Sequence, residues 1–366
     1  VRNSAVRTLF QTLGSHGQKL SKSMWEDCLW NYVFPMLDQA SHMAATSSKD
    51  EWRGKELGTR GGKAVHMLIH HSRNTAQKQW DETLVLVLNG ISRILRSLFP
   101  FLRSLSNFWS GWESLLIIVK DSILNGSKEV ALAAVSCLQT TIVSHSLKGN
   151  LPMPYLTSVL EVYEFVFQRS PSYGVNSTSK AKQEILHGLG ELYVQAQSMF
   201  DSQMYTQLLA IIHLAIKQSM MGSENVETDI GNISPIQRTV LEILPLLRPT
   251  EQFSSLWLIL LREILHYLPR PDESLRSEEE VKRTNAPDGN QETRDETPNG
   301  IASPSLSKAE LDSHSSKTKT MCISSNVFPE KVIPLLVDIS LQAPTVEKHI
   351  ILPEIVESLG RYKPFS

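Results

Sequence analysis

Cysteine is scarce in this chain: Cys28, Cys137 and Cys322 are the only three in 366 residues. Thiols so few and so scattered exclude a disulfide framework or a zinc cluster and favour a reducing compartment. Cys28 and Cys137 are expected to act as small apolar fillers on helices. An excess of one charge is also missing. The 36 basic and 38 acidic side chains leave a formal net charge of −2, so no overall field draws the chain to nucleic acid or anionic lipid. The longest strongly apolar runs, Leu84–Leu88, Leu115–Val119 and Leu256–Leu261, fall far short of the roughly 20 residues of a membrane-spanning helix. No such helix is expected. Aromatic residues vanish between Tyr267 and Phe328, where Glu, Asp, Lys, Ser, Thr, Pro and Asn crowd together. Residues 269–326 thus have too little apolar surface to offset ordering entropy and are expected to be a disordered polar insertion. Within it, Thr297-Pro298 and Ser303-Pro304 offer phosphorylation dipeptides.

What is present is helical periodicity. Val1, Ala5, Val6, Leu9, Thr12 and Leu13 are matched 129 positions later by Val130, Ala134, Val135, Leu138, Thr141 and Ile142. A helix that repeats its own face implies a stacked helical array. Trp25, Cys28, Leu29, Tyr32, Val33, Met36 and Leu37 recur at three- and four-residue spacing behind Ser23 as a candidate cap, completing a hairpin with the opening helix. The polar stretch Ser41 to Gly62 reads as a loop, and Lys63 to His70 as the start of the next helix. A helix from Trp80 is expected to stop at Pro100, whose ring disfavours helix before it. The next runs from Ser106 to Leu124, ended by Asn125 and Gly126 as a positive-φ terminator.

Further helices are expected over Tyr155–Gln168, Lys180–Ser198, Asp201–Met221, Ile236–Leu247, Glu251–Leu268, Val327–Leu341 and Lys348–Leu359. Pro171 to Ser179 and Gly222 to Ser234 read as connectors, and Pro235 as a first helical residue. No stretch shows several strands in period-two alternation. The expected fold is all-α: an α-solenoid of armadillo/HEAT-like hairpins over 1–268, the polar insertion 269–326, and further helices of the array over 327–366. The chain opens on Val1 inside an amphipathic helix, which suggests a piece of a longer protein.

Chemistry is harder to find. His66 and His70 share the i, i+4 spacing of a zinc peptidase helix, but Met67 stands where its glutamate base belongs. Gly58, Gly61, Gly62 and Lys63 invite comparison with a phosphate loop, yet Leu57 and Ala64 occupy its required glycine and hydroxyl positions. Arg53, Lys55, Arg60 and Lys63 make a basic turn offset by Asp50, Glu51 and Glu56. Arg93, Arg96 and Arg103 beside Phe99, Phe101, Phe108, Trp109 and Trp112 match a stacking surface for nucleic acid in composition only. Aromatics at helical spacing read better as core, and no nucleic-acid partner is expected. The glycosylation tripeptides at Asn125, Asn176 and Asn232 matter only in a secreted chain. No catalytic, cofactor-binding or metal-binding residue is assigned. Trp52 and Trp80, beside polar stretches, are the residues to watch as partner anchors, with packing under a loop as the plainer alternative.

At VRNSAVRTLFQTLGSHGQKLS, MWEDCLWNYVFPMLD and Thr59 to Leu102, the chain resembles the C-terminal region of the Mon-two (monensin-sensitivity) family. The opening decapeptide is shared in kind with repeat domains of the large Arf guanine-nucleotide-exchange factors; the Thr59 stretch looks specifically Mon-two-like. The resemblance implies a non-catalytic helical-repeat scaffold, cytosolic and peripheral to Golgi and endosomes, that takes part in vesicle traffic with a Dopey-family partner. Kinship extends the expectation to Arf-type GTPases. The family offers no catalytic residue to carry over. Alternatives are a generic armadillo or HEAT adaptor, as in transport receptors and phosphatase scaffolds, or an Arf exchange regulator.

Overall fold

A computed structural model describes residues 1–47, 56–60, 63–66, 75–169, 176–221, 233–250, 253–268 and 327–362. The insertion 269–326, Trp52, His70, Gly61 and Gly62 lie outside the described residues. The helices are α1 (Arg2–His16), α2 (Lys22–Cys28), α3 (Phe34–Thr46), α4 (Ala76–Leu102), α5 (Phe108–Asn125), α6 (Lys128–Leu147) and α7 (Met153–Arg169). They continue with α8 (Asn176–Ala196), α9 (Ser202–Met221), α10 (Pro235–Ile243), α11 (Ser255–Leu265), α12 (Val327–Gln342) and α13 (Thr345–Arg361).

The helices fall into two rows. The first runs α1–α4–α6–α8–α10–α12 and the second α3–α5–α7–α9–α11–α13, each helix packed on its neighbours in the row. Six helical hairpins, or rungs, result among the described residues, and α12 and α13 continue them by packing on α10 and α11. This is an all-α solenoid. The sequence echo now has a spatial meaning, because α1 and α6 lie in the same row with α4 between them. Every echoed position of α6 is buried, whereas Ala5 and Thr12 of α1 are exposed. The difference follows from coverage: α6 is sandwiched by α4 and α8, while α1 packs only on α4 in its row.

Sandwiching also explains composition. Despite their short apolar runs, α4 and α6 are long and apolar enough to cross a bilayer, contrary to expectation. Half of that apolar window in α4 and 56% in α6 are buried in the array, and a helix flanked on both sides needs apolar residues nearly all round.

Side chains cap the starts of α2, α4, α6 and α10, and polar bridges cross the seams. Ser21, not Ser23, caps α2 by accepting from the Met24 amide at 3.3 Å. Ser234 and Gln237 form a capping box with Pro235 at the first position of α10. Between rows and rungs, Arg2 Nε donates to Thr83 Oγ1 at 2.8 Å, and Gln139 Nε2 to the Glu184 carbonyl at 2.7 Å. Likewise Trp112 Nε1 donates to Ser158 Oγ at 3.0 Å and Gln207 Nε2 to Glu164 Oε2 at 2.7 Å. The buried Tyr205 hydroxyl donates to the Leu247 carbonyl at 2.7 Å, joining α9 to the short 3₁₀ turn after α10. Tyr205→Phe should therefore cost about 1–3 kcal/mol by leaving that carbonyl unsatisfied; urea unfolding with an unchanged slope is the check.

Four local expectations are corrected. The Pro100 stop fails: α4 runs through Pro100 to Leu102. Proline removes one amide donor in the last turn, and the carbonyl it orphans belongs to the exposed Arg96, open to solvent. Gly126 is extended (φ −75°), not positive-φ. Its glycine is needed for space, since a Cβ would sit 2.4 Å from the Ser122 carbonyl oxygen. Positive φ appears instead at Asn107 and Gly149. The Ser41–Gly62 loop and Lys63–His70 helix give way to an extension of α3 to Thr46 and a hairpin of β1 (Glu56–Arg60) and β2 (Lys63–His66). Thr59 pairs with Ala64 and Arg60 with Lys63. Finally, α8 begins at Asn176, inside the expected 171–179 connector.

Candidate partner-binding groove

The second row holds a groove where α3 meets α5. Its origin is a helix-spacing problem. The buried positions Trp25, Leu29, Val33 and Leu37 follow one another at four-residue steps, which drift about 40° per step around an α-helix. A π-helical turn, Leu29–Val33, separates α2 from α3; its wider turn takes up that drift and keeps the stripe on the core. Trp30 and Phe34, a turn apart, are left on the flank, their ring centroids 5.1 Å apart and tilted 32°.

Those rings floor a groove of about 230 Å³, closed on the α5 side by Ser114 and Ile118 and edged by Pro35 and Asp38. Gly111 makes the close approach of α5 workable, because a Cβ there would lie 2.5 Å from the Phe34 ring. The groove thus offers an aromatic floor for an apolar side chain and one carboxylate at the rim, Asp38. A second, smaller void of about 20 Å³ is lined by apolar side chains including Val33, Leu95 and Trp112. Its size suits one water but its lining offers no partner, so it stays dry.

The residues singled out from sequence land elsewhere. Trp80 is half-buried under the Arg2 guanidinium, 3.6 Å from the ring centroid, and packs α1 on α4. Arg93, Arg96 and Arg103 are exposed, while Phe99, Phe108 and Trp112 are core. Phe99 packs on Phe108, Trp112, His145 and Tyr155. Of the other two rings of that stripe, Phe101 is half-buried and Trp109 is exposed but packs edge-on against Tyr155, ring centroids 4.9 Å apart. Gly58 and Lys63 lie on the paired strands rather than in a strand-to-helix phosphate loop, and His66 ends β2. Cys137 is fully packed, its pKa pushed up to about 12 by burial.

One buried charge stands apart. Lys182 on α8 is 8% exposed; its Nζ donates to Gln218 Oε1 at 2.8 Å, with the Phe167 ring 5.6 Å away. Burial lowers its pKa from 10.5 to about 8. Below pH 8 the ammonium is charged in both folded and unfolded chains and the burial penalty is fully present. Between about pH 8 and 10.5 the unfolded chain binds more protons, so stability rises with pH through this window. Lys182→Met should abolish that rise without lowering the midpoint at neutral pH, as read by urea unfolding across pH 7–10.

The paired rows define the class: an all-α solenoid of stacked helical hairpins, with the groove open to solvent on its second row. The family model described as the C-terminal region of Mon2 protein matches residues 1–186, and the chain belongs to that family. It is 35% identical over 185 residues to a "Protein MON2 homolog" of Homo sapiens, covering 48% of this chain and 10% of the relative. The Xenopus laevis protein of that name is 39% identical over 154 residues (42% of this chain, 8% of the relative). The Drosophila melanogaster one is 37% identical over 139 residues (38% and 8%). These matches span a tenth or less of the relatives' lengths. No solved structure matches.

Proposed function

We propose that this segment belongs to a non-catalytic scaffold of vesicle traffic between Golgi and endosomes, peripheral to the membrane on its cytoplasmic side. The observation that carries the reading is where the groove lies. Trp30, Phe34, Ser114 and Ile118 fall inside residues 1–186, the stretch the family model matches. They form an apolar recess on a stacked array whose seams are held by polar bridges and a continuous core.

Such a recess holds a partner by taking a buried anchor side chain, while the rim sets orientation. A Dopey-family protein is the partner proposed for it, with an apolar anchor on the aromatic floor and a basic neighbour at Asp38. An Arf-type GTPase is a second client of the same scaffold.

The test is to locate the tagged whole protein in cells and recover its partners. Golgi and endosomal signal with Dopey recovery is the expected result; diffuse or nuclear distribution without such partners contradicts the proposal. Nucleotide release from an Arf-type GTPase, measured with the purified chain, should be unchanged. Acceleration would replace the scaffold by an exchange regulator.

A further inference from the structure

Two imidazoles and a carboxylate converge on the second row where α9 packs against α11, far in sequence from the groove. His213 comes from α9. Glu263 lies in the last turn of α11 and His266 caps that helix, so the i, i+3 spacing puts both on one face. Nδ1 of His213 is 2.8 Å from Glu263 Oε1, and Nδ1 of His266 is 3.6 Å from Oε2. One ligand atom from each of the three residues lies within 4.8 Å of the other two. The ring centroids are 6.3 Å apart with planes at 80°, an arrangement that leaves room between the rings rather than stacking them.

Burial grades the site. The Glu263 side chain is 14% exposed while both imidazoles are 46% exposed, so the carboxylate forms the floor and the rings the mouth. Beneath it Tyr267 is 3% exposed, and its hydroxyl is buried without a hydrogen-bond partner of good geometry. The Glu263 carboxylate lies close to it, which places the phenol to serve as an outer donor once an ion takes one of the carboxylate oxygens.

We infer that His213, Glu263 and His266 form a site for a divalent transition ion of the zinc class, clamping the fourth rung to the fifth. Two nitrogens and a carboxylate oxygen suit zinc and its neighbours, whereas calcium and magnesium take oxygen ligands. Tetrahedral bonds of about 2.0–2.1 Å place ligand atoms roughly 3.3 Å apart, between the two separations this carboxylate already makes. The ion replaces the His213–Glu263 hydrogen bond, and Tyr267 orients the carboxylate from below. The fourth position faces solvent and takes water.

The probe is zinc chloride titrated calorimetrically into the full 366-residue chain after chelator treatment and dialysis, with cobalt(II) absorbance as a spectroscopic readout. One ion per chain should bind and raise the melting temperature. His213→Ala and His266→Ala should each weaken binding by roughly tenfold to hundredfold or more and remove the thermal shift. His349→Ala, on the exposed face of α13, should change neither. His266 is exposed, so its variant folds even if His213→Ala does not, and circular dichroism checks both. Absence of saturable binding, or binding that His266→Ala leaves intact, overturns the site.

Discussion

Phe99→Ala should lower the stability of the chain by about 3–5 kcal/mol, the largest loss expected from a single side chain here. Phe99 is fully buried on α4, and its ring meets Phe108 and Trp112 of α5, His145 of α6 and Tyr155 of α7. Three other helices of the second and third rungs close on this one ring. Truncation forfeits the transfer free energy and leaves a cavity bordered by side chains that are themselves locked, since Trp112 is tied to Ser158 and His145 Nε2 donates to the Leu95 carbonyl at 2.8 Å. Phe165→Ala is the control: that ring is 36% exposed, beneath Lys120 and Arg169, and should cost under about 1 kcal/mol. Urea unfolding followed by tryptophan fluorescence and far-ultraviolet dichroism compares the two. Equal small losses would show that the aromatic cluster does not hold these rungs.

Gly90→Ala should also destabilise, by about 1–3 kcal/mol, although alanine is worth about 1 kcal/mol more than glycine in a helix interior. A Cβ at Gly90 would lie 2.2 Å from Cγ of Phe10, a buried ring on α1. Cγ is the near end of that ring, so rotation about its own bond cannot clear the clash and α1 must shift on α4. Gly360→Ala on α13 isolates propensity from sterics, since nothing lies within 4 Å of its Cβ; it should stabilise by up to about 1 kcal/mol. Phe10→Leu in the Gly90→Ala background should recover part of the loss, giving a coupling that two independent sites would not show. Opposite signs at Gly90 and Gly360 are the expected outcome; a gain at both would deny the close α1–α4 seam.

How much of this was legible in the sequence depends on the range of the interaction that decides it. The echo of Val1–Leu13 in Val130–Ile142 was legible because both helices pack within the same row, each on α4, and a helix packed in such a row carries its apolar residues at helical spacing. The start of α10 at Pro235 was legible because proline's fixed φ and missing amide suit the first helical position whatever the tertiary surroundings. Pro100 misled because its local penalty falls in the last turn, where an exposed carbonyl can be left to solvent. The 56–66 hairpin was missed because two short strands with glycines between them carry too little alternation to compete with a helical background.

The groove was missed for a different reason. Sequence periodicity assigned Tyr32 to the apolar stripe and passed over Trp30 and Phe34, because a uniform α-helical wheel has no π turn in it. In the fold Tyr32 is 56% exposed, while Trp30 and Phe34 pair on the flank. Their other wall, Ser114 and Ile118, lies some 80 residues on and is brought there only by the packing of α3 on α5. The Trp30–Phe34 spacing of four, within a helix that already had its buried stripe, was the one signal available. His213 and Glu263 likewise lie 50 residues apart and meet only through the α9–α11 seam.

The scaffold reading rests most directly on whether the groove holds a partner. Trp30 is half-buried and caps no core cluster, so Trp30→Ala leaves the array folded, which circular dichroism and the melting temperature verify. The decisive measurement is quantitative recovery of the proposed Dopey-family partner by the tagged whole protein and by its Trp30→Ala variant. Loss of an anchor of this kind is worth about 2 kcal/mol or more, and the partner signal should fall on the order of thirtyfold. Unchanged recovery from a folded variant would contradict the account.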